Sequence, residues 1–160
     1  MIVVSNSGPL IALSKLGLLS IVQKIFGAVI LPEEVWKEVV ERGKGKPGSD
    51  IIAKVEWIKV KKVEDLSVEV LCKEIERGEA EAIVLAKRIN ADLLLIDEKI
   101  PREIAKSIGL NVVGTLALIY EAISRGIVKQ DFVEIVETMR KRGIWISDEI
   151  IEEVKRKFGC

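Results

Sequence analysis

Four of the five acids in the stretch GEAEAIVLAKRINADLLLIDE (78–98), Glu79, Glu81, Asp97 and Glu98, stand at its two ends. The first two open an alanine-rich segment and the last two close a short apolar one. Carboxylates gathered in this way hold a hard cation or move protons. The chain contains no histidine, which removes Ser-His-Asp and Cys-His nucleophile systems and leaves too few soft ligands for zinc. Its cysteines, Cys72 and Cys160, are far apart and lack a metal-binding spacing. Structural burial of Cys72 and a frayed tail at Cys160 account for both. Metal chemistry here must therefore use oxygen donors, the preference of magnesium or manganese.

These acids need elements to position them. Glu79 and Glu81 sit in the first turn of a helix whose buried stripe is Ala82, Ile83, Ala86 and Ile89, by three- and four-residue spacing. Glu79 falls on that stripe and Glu81 towards its flank. A buried Glu79 needs a partner, which a cation or a helix-terminal amide can supply. Asp92 to Ile96 is a buried strand, so Asp97 leaves its carboxyl end. Met1 to Ser5 (MIVVS) reads as a first strand, followed by Asn6. If the two strands are neighbours in a parallel sheet, Asn6 and Asp97 share the edge where open α/β sheets place ligands. A third contribution comes from LPEEVWKEVV, where Glu38 lies near the border of the apolar face formed by Trp36, Val39 and Val40. Each acid also has a simpler reading. Glu38 can be a solvated helix residue, Glu79 a helix cap, and Asp97 a cap for the helix near Pro101.

The remaining chain alternates strands and helices. After Asn6-Ser7-Gly8-Pro9, with Ser7 as a cap, a helix is expected over Leu10 to Leu16 and another over Leu18 to Phe26. Ala28 to Leu31 is a second strand, and Pro32 opens a helix that stops at Gly43. Lys44 to Ser49 is a surface loop, Ile51 to Val55 a short helix, and Trp57 to Val60 an edge or half-buried strand. Leu66 to Glu76, Pro101 to Ile108 and Thr115 to Arg125 read as helices, with a strand at Asn111 to Val113. Asp131 to Arg142 and Asp148 to Phe158 form a last pair of charged amphipathic helices. The pattern predicts a three-layer α/β fold with a parallel sheet. It is one domain over 1–160, with its core in about 1–128 and a helical extension over about 129–160.

Composition limits function in other ways. Lys plus Arg equal Asp plus Glu at 25 each, so only a local basic face could attract nucleic acid. No apolar run reaches the roughly 18 residues of a membrane span. The start, MIVVSNSG, lacks a basic n-region, so a cytoplasmic location is expected. The Lys, Arg and Glu bias is compatible with a thermophile source. The phosphate loops GxxxxGK[ST] and GxGxxG are absent, which argues against a nucleotide-binding α/β domain.

From Val3 to about Gly114 the chain resembles the PIN-domain nucleases. The carriers are VVSNSGPLIAL after the first strand, the Pro32, Val35 and Glu38 pattern, and Glu79 opening an alanine-rich helix that includes Ala80 and Ala86. Asp97 follows Glu79 by eighteen positions, across an apolar strand. A PIN-like subfamily of archaea and bacteria, largely without assigned function, is similar in SNSGPLIAL, GEAEAIVLA, LLIDE followed by Arg102, GTLALI and the closing GIWIS.

The resemblance implies a three-layer α/β/α fold and an acidic pocket for magnesium or manganese that cleaves RNA. Glu38, Glu79 and Asp97 would be ligands and Ser7 would orient the first-strand ligand. Arg102 or Lys99 would hold a phosphate or neutralise the acids, with Glu81 and Glu98 in support. It also implies a toxin-type ribonuclease held by a small antitoxin protein, and a homodimer. On their own pattern the C-terminal helices complete the core or form a homodimer face, with Trp145 as anchor; Arg140, Lys141 and Arg142 read as a solvated charged face, with RNA contact as the alternative. One departure is Asn6, which stands where the family has its first aspartate. An amide oxygen still donates electrons to a cation but carries no charge, so weaker metal binding and slow or absent cleavage are expected. A non-catalytic RNA- or protein-binding module is the alternative.

Overall fold

The computed structural model describes residues 1–158, and Cys160 lies outside the described residues. Its strands are β1 (Val3–Ser5), β2 (Val29–Pro32), β3 (Ile58–Lys61), β4 (Leu93–Leu95) and β5 (Val112–Val113). They form a parallel sheet in the order β3-β2-β1-β4-β5. The helices are α1 (Ser7–Lys15), α2 (Ser20–Phe26), α3 (Glu33–Trp36), α4 (Ser49–Lys54), α5 (Leu66–Leu71) and α6 (Arg77–Arg88). They continue with α7 (Lys99–Ser107), α8 (Thr115–Ser124), α9 (Phe132–Lys141) and α10 (Asp148–Phe158).

Alternation along the strands divides the core into two layers. Val3, Val29, Leu31 and Leu95 point to one face, under α1, α2 and α8 to α10. Val4, Leu94 and Ile96 point to the other, under α5, α6 and α7. The fold is a three-layer α/β/α sandwich. Both faces of the central strands are covered, which is why β1 and β4 read as continuous apolar runs. Ala80, Ala82 and Ala86 are fully buried, and their small side chains let α6 lie close on the sheet.

Several boundaries differ from the sequence reading for identifiable reasons. Helix α1 starts at Ser7 and not at Leu10. Pro9 is accommodated because a first-turn residue needs no N–H acceptor. Ser7 does not cap it; the N-cap position is Asn6, whose side chain makes no capping bond. Pro32 ends β2 instead of opening the helix proper. The helix expected over Leu66 to Glu76 stops at Leu71, where the N–H groups of Glu74 and Ile75 both turn back to the Leu71 carbonyl. Ile75 is tucked into the core at that bend, and Glu76 is free to start α6. The edge position of β3 agrees with its sequence, since only Ile58 in it is buried. The C-terminal helices join the main core through Phe132, Ile135, Val136, Met139, Ile151 and Val154. Trp145 does not anchor that core: it is 83% exposed in the turn between α9 and α10.

Candidate active site

Parallel strands bring their carboxyl ends to one edge, and β1 and β4 are direct neighbours, with Ser5 opposite Leu95. The Asn6 N–H continues the ladder by donating to the Leu95 carbonyl at 2.9 Å. Asn6 and Asp97 therefore leave adjacent strands at the same edge. Asn6 is 4% exposed, and its Oδ1 is buried without a hydrogen-bond partner. An amide oxygen in that position is costly unless something outside the chain satisfies it.

Ser7 turns away from its own helix. Its hydroxyl donates to Glu38 Oε2 at 3.0 Å, tying the start of α1 to the segment after β2. Glu38 lies in a π-helical turn, Lys37–Glu41, that continues α3. Such turns insert an extra residue and recur at functional sites. This one keeps Val39 in the core while Glu38 reaches Ser7. Glu38 is half-buried, and burial raises its carboxyl pKa above the usual range against the opposing Ser7 bond and the Arg42 charge. Gly78 lies against its other oxygen, where a Cβ would collide with Glu38 Oε1.

Glu79 is 8% exposed and accepts from the Glu76 N–H at 3.0 Å, completing a capping box with Glu76. The helix-terminal amide is thus the partner that its burial required. Burial raises its pKa, and the charges of Glu76, Glu98 and Glu38 push the same way. Glu38 and Glu79 thus sense one another. Glu81, placed on the flank by periodicity, is 6% exposed and no surface residue. Its Oε1 accepts from the Glu34 N–H at 3.2 Å, so it caps the first turn of α3 from another helix, and Arg77 Nε lies 3.5 Å away. Burial raises its pKa as well.

Asp97 does not cap the helix near Pro101. Both of its oxygens are taken by Thr115: the N–H donates to Oδ1 and the hydroxyl to Oδ2, each at 2.7 Å. Asp97 thereby holds the start of α8, where a carboxylate also matches the helix dipole. Burial raises its pKa, while the two Thr115 bonds and Arg102 act in the opposite direction. Gly114 permits this packing, since a Cβ there would come 2.9 Å from Asp97 Oδ1, whereas one at Gly8 would stand at ordinary contact distance, 3.5 Å from Asp97 Oδ2. Arg102 lies beside Asp97 in charge, yet its buried Nε has no hydrogen-bond partner. Glu98 and Lys99 are exposed at the start of α7.

The edge thus contains two linked groups. Glu38, Glu79 and Ser7 form one; Asp97, Thr115 and Arg102 form the other; the Asn6-Ser7-Gly8 turn joins them. Among the described residues, no three acids are gathered closely enough to hold a metal ion between them. The donor chemistry nevertheless fits a hard divalent cation. All donors are oxygens, burial raises the carboxyl pKa values of Glu38, Glu79 and Asp97, and the Asn6 oxygen lacks a partner.

A family model of the PIN domain matches residues 2–160. The chain belongs to the PIN-domain family. PIN domains are generally nuclease-related and generally use divalent metal ions. No curated protein matches the chain. In this PIN domain the sequence pattern pointed to Asn6, Ser7, Glu38, Glu79 and Asp97 at one end of the sheet, but it passed over Thr115, Gly78 and Gly114. Thr115 and Gly114 lie in GTLALI, a segment whose family likeness was visible but whose contacts with Asp97 were not. No helix of the described residues is long and apolar enough to cross a membrane.

Proposed function

We propose that this PIN domain is a magnesium- or manganese-dependent ribonuclease of the toxin type, attenuated by Asn6. The observation that carries this reading is the buried, unpartnered Asn6 Oδ1, on the segment that joins the Glu38–Ser7 pair to the Asp97–Thr115 pair. Glu38, Glu79 and Asp97, with the Asn6 carbonyl, would hold the cation. When bound, the ion supplies a lowered water pKa and stabilises charge developing on the phosphodiester. Ser7 orients Glu38, and Thr115 fixes the rotamer of Asp97 while leaving lone pairs on both of its oxygens. Burial of Glu79 and Glu38 removes solvent competition and strengthens their attraction for a cation. In a toxin–antitoxin pair, a small antitoxin protein would hold this nuclease silent, and a homodimer belongs to the same reading.

The test uses full-length protein free of contaminating nuclease, with single-stranded and structured RNA and either ion. Slow manganese-stimulated cleavage is expected, lost in Glu38→Gln and faster in Asn6→Asp. No cleavage by the native chain and the Asn6→Asp variant under either ion would end this reading. A second reading, a PIN-like module that binds RNA or protein without cutting it, is favoured by Asn6 itself and by the absence of a gathered acidic trio among the described residues. Calorimetry showing no magnesium or manganese binding to the native chain would support it.

A further inference from the structure

Strand β3 is an outer strand of the five-stranded sheet, and it packs chiefly on β2 and α3. The Val29 N–H donates to the Trp57 carbonyl at 2.9 Å, with Ile58 opposite Val29 and Val60 opposite Leu31. In the parallel ladder set by that bond, Lys59 turns its N–H and carbonyl to β2, whereas Ile58 and Val60 turn theirs outward. No described residue bonds to these outward groups. Such an edge is a template for a further extended chain.

The side chains along β3 say which chain fits. Lys59 and Lys61 lie on the sheet face of Ile30, both exposed and in no ion pair among the described residues. Val60, on the other face, is 44% exposed. At the start of the strand is a hollow of about 660 Å³ lined by Gln23, Ala28, Val55, Glu56, Trp57 and Lys59. Trp57 is half-buried there, and a tryptophan in a hollow is a common anchor of protein contacts. A second copy of this chain is a poor occupant. Two β3 edges related by a two-fold axis would set Lys59 against Lys59 or against Lys61, and like charges directly opposite are destabilising. An acidic strand turns the same lysines into attraction. We propose that β3 is a docking edge for an extended, acidic segment of a partner protein, which adds to the sheet beside Ile58 and Val60. Its acids face Lys59 and Lys61, and an apolar side chain enters the hollow at Trp57. Strand β1, which ends at Asn6, lies two strands further in, so the added strand runs about 14 Å from it. The docking edge is therefore separate from the acids and does not rest on the nuclease reading.

The test uses the full chain labelled with nitrogen-15 and three synthetic eight-residue peptides. One alternates glutamate and valine, one alternates lysine and valine, and one is the glutamate peptide with every peptide nitrogen methylated. The Ile58 and Val60 backbone N–H signals are expected to move with the glutamate peptide and to exchange with solvent about tenfold more slowly. The lysine peptide should bind about tenfold more weakly, at the scale of two cross-strand charge pairs. The methylated peptide, which cannot donate main-chain bonds, should leave both signals unmoved. In the double variant Lys59→Glu, Lys61→Glu the order of the two unmethylated peptides should reverse; both positions are exposed, so the fold is kept. Ile58 and Val60 signals indifferent to the glutamate peptide overturn the proposal. So does an equal response to the acidic and basic peptides, or an undiminished response to the methylated one. Exchange that slows with protein concentration and no peptide marks pairing between copies, which also overturns it.

Discussion

In the function proposed here, Asn6 is the residue on which activity would turn. Its unpartnered oxygen would meet the cation without bringing charge, and a hard ion binds less tightly as ligand charge falls. Asn6→Asp is expected to tighten manganese binding by an order of magnitude or so, at the scale of one added charge–charge contact. Calorimetry on the two proteins checks this. Gly78 offers a complementary test. A Cβ at this position meets the end of the Glu38 side chain and not backbone, so Gly78→Ala should fold with its thermal midpoint preserved. Alanine also suits a helix better than glycine, by roughly 1 kcal/mol. Displacing Glu38 from Ser7 should nevertheless weaken manganese binding, which the same calorimetry would detect. An unchanged affinity would remove Glu38 from the site.

At the scale of elements, acids placed near the site have divided duties. Glu81 is spaced like a ligand but spends itself on the first turn of α3 through the Glu34 N–H. Glu81→Ala is expected to lower stability by about 1–2 kcal/mol, the cost of a lost cap, while leaving manganese affinity as it was. Chemical denaturation and calorimetry together decide this. The sequence carried the elements well where one periodicity dominated. Strand β4 and helix α6 were legible from an apolar run and an alanine-rich stripe, and the neighbouring of β1 and β4 needed only the assumption of a parallel sheet. The π-helical turn around Glu38 was not legible, because Pro32-x-x-Val35-x-x-Glu38 fits an ordinary helix equally well. Nor was the link from Asp97 to Thr115. It depends on where α8 returns to the sheet, which local spacing does not encode, and the cap expected near Pro101 was the local alternative.

For the whole molecule, the site is a source of instability. Burial raises the pKa of Glu38, Glu79, Glu81 and Asp97. Between the ordinary carboxylate range and those raised values, the folded chain binds more protons than the unfolded one. Stability from these groups is therefore fully present at low pH and falls as pH rises through that window. Glu33 and Asp65, whose pKa values are lowered by Lys37 and Ser67 respectively, act oppositely, but both are solvent-screened. Denaturant midpoints should accordingly be higher near pH 5.5 than near pH 7.5. Manganese should raise the midpoint chiefly at the higher pH, where the acids are ionised and the ion replaces the missing positive charge. A midpoint indifferent to manganese at pH 7.5 would argue that these carboxylates do not form a cation site.

The grip of Asp97 on Thr115 has a consequence for how silence in this protein is to be understood. The carboxylate that would serve chemistry also fastens the first turn of α8, and α8 supplies Leu116, Leu118 and Ile119 to the main core. A form of this chain with no catalytic role would still need an acceptor there to keep that helix seated. An intact Asp97 is therefore no certificate of a working enzyme, and a dead Asp97 variant is no certificate of a removed ligand.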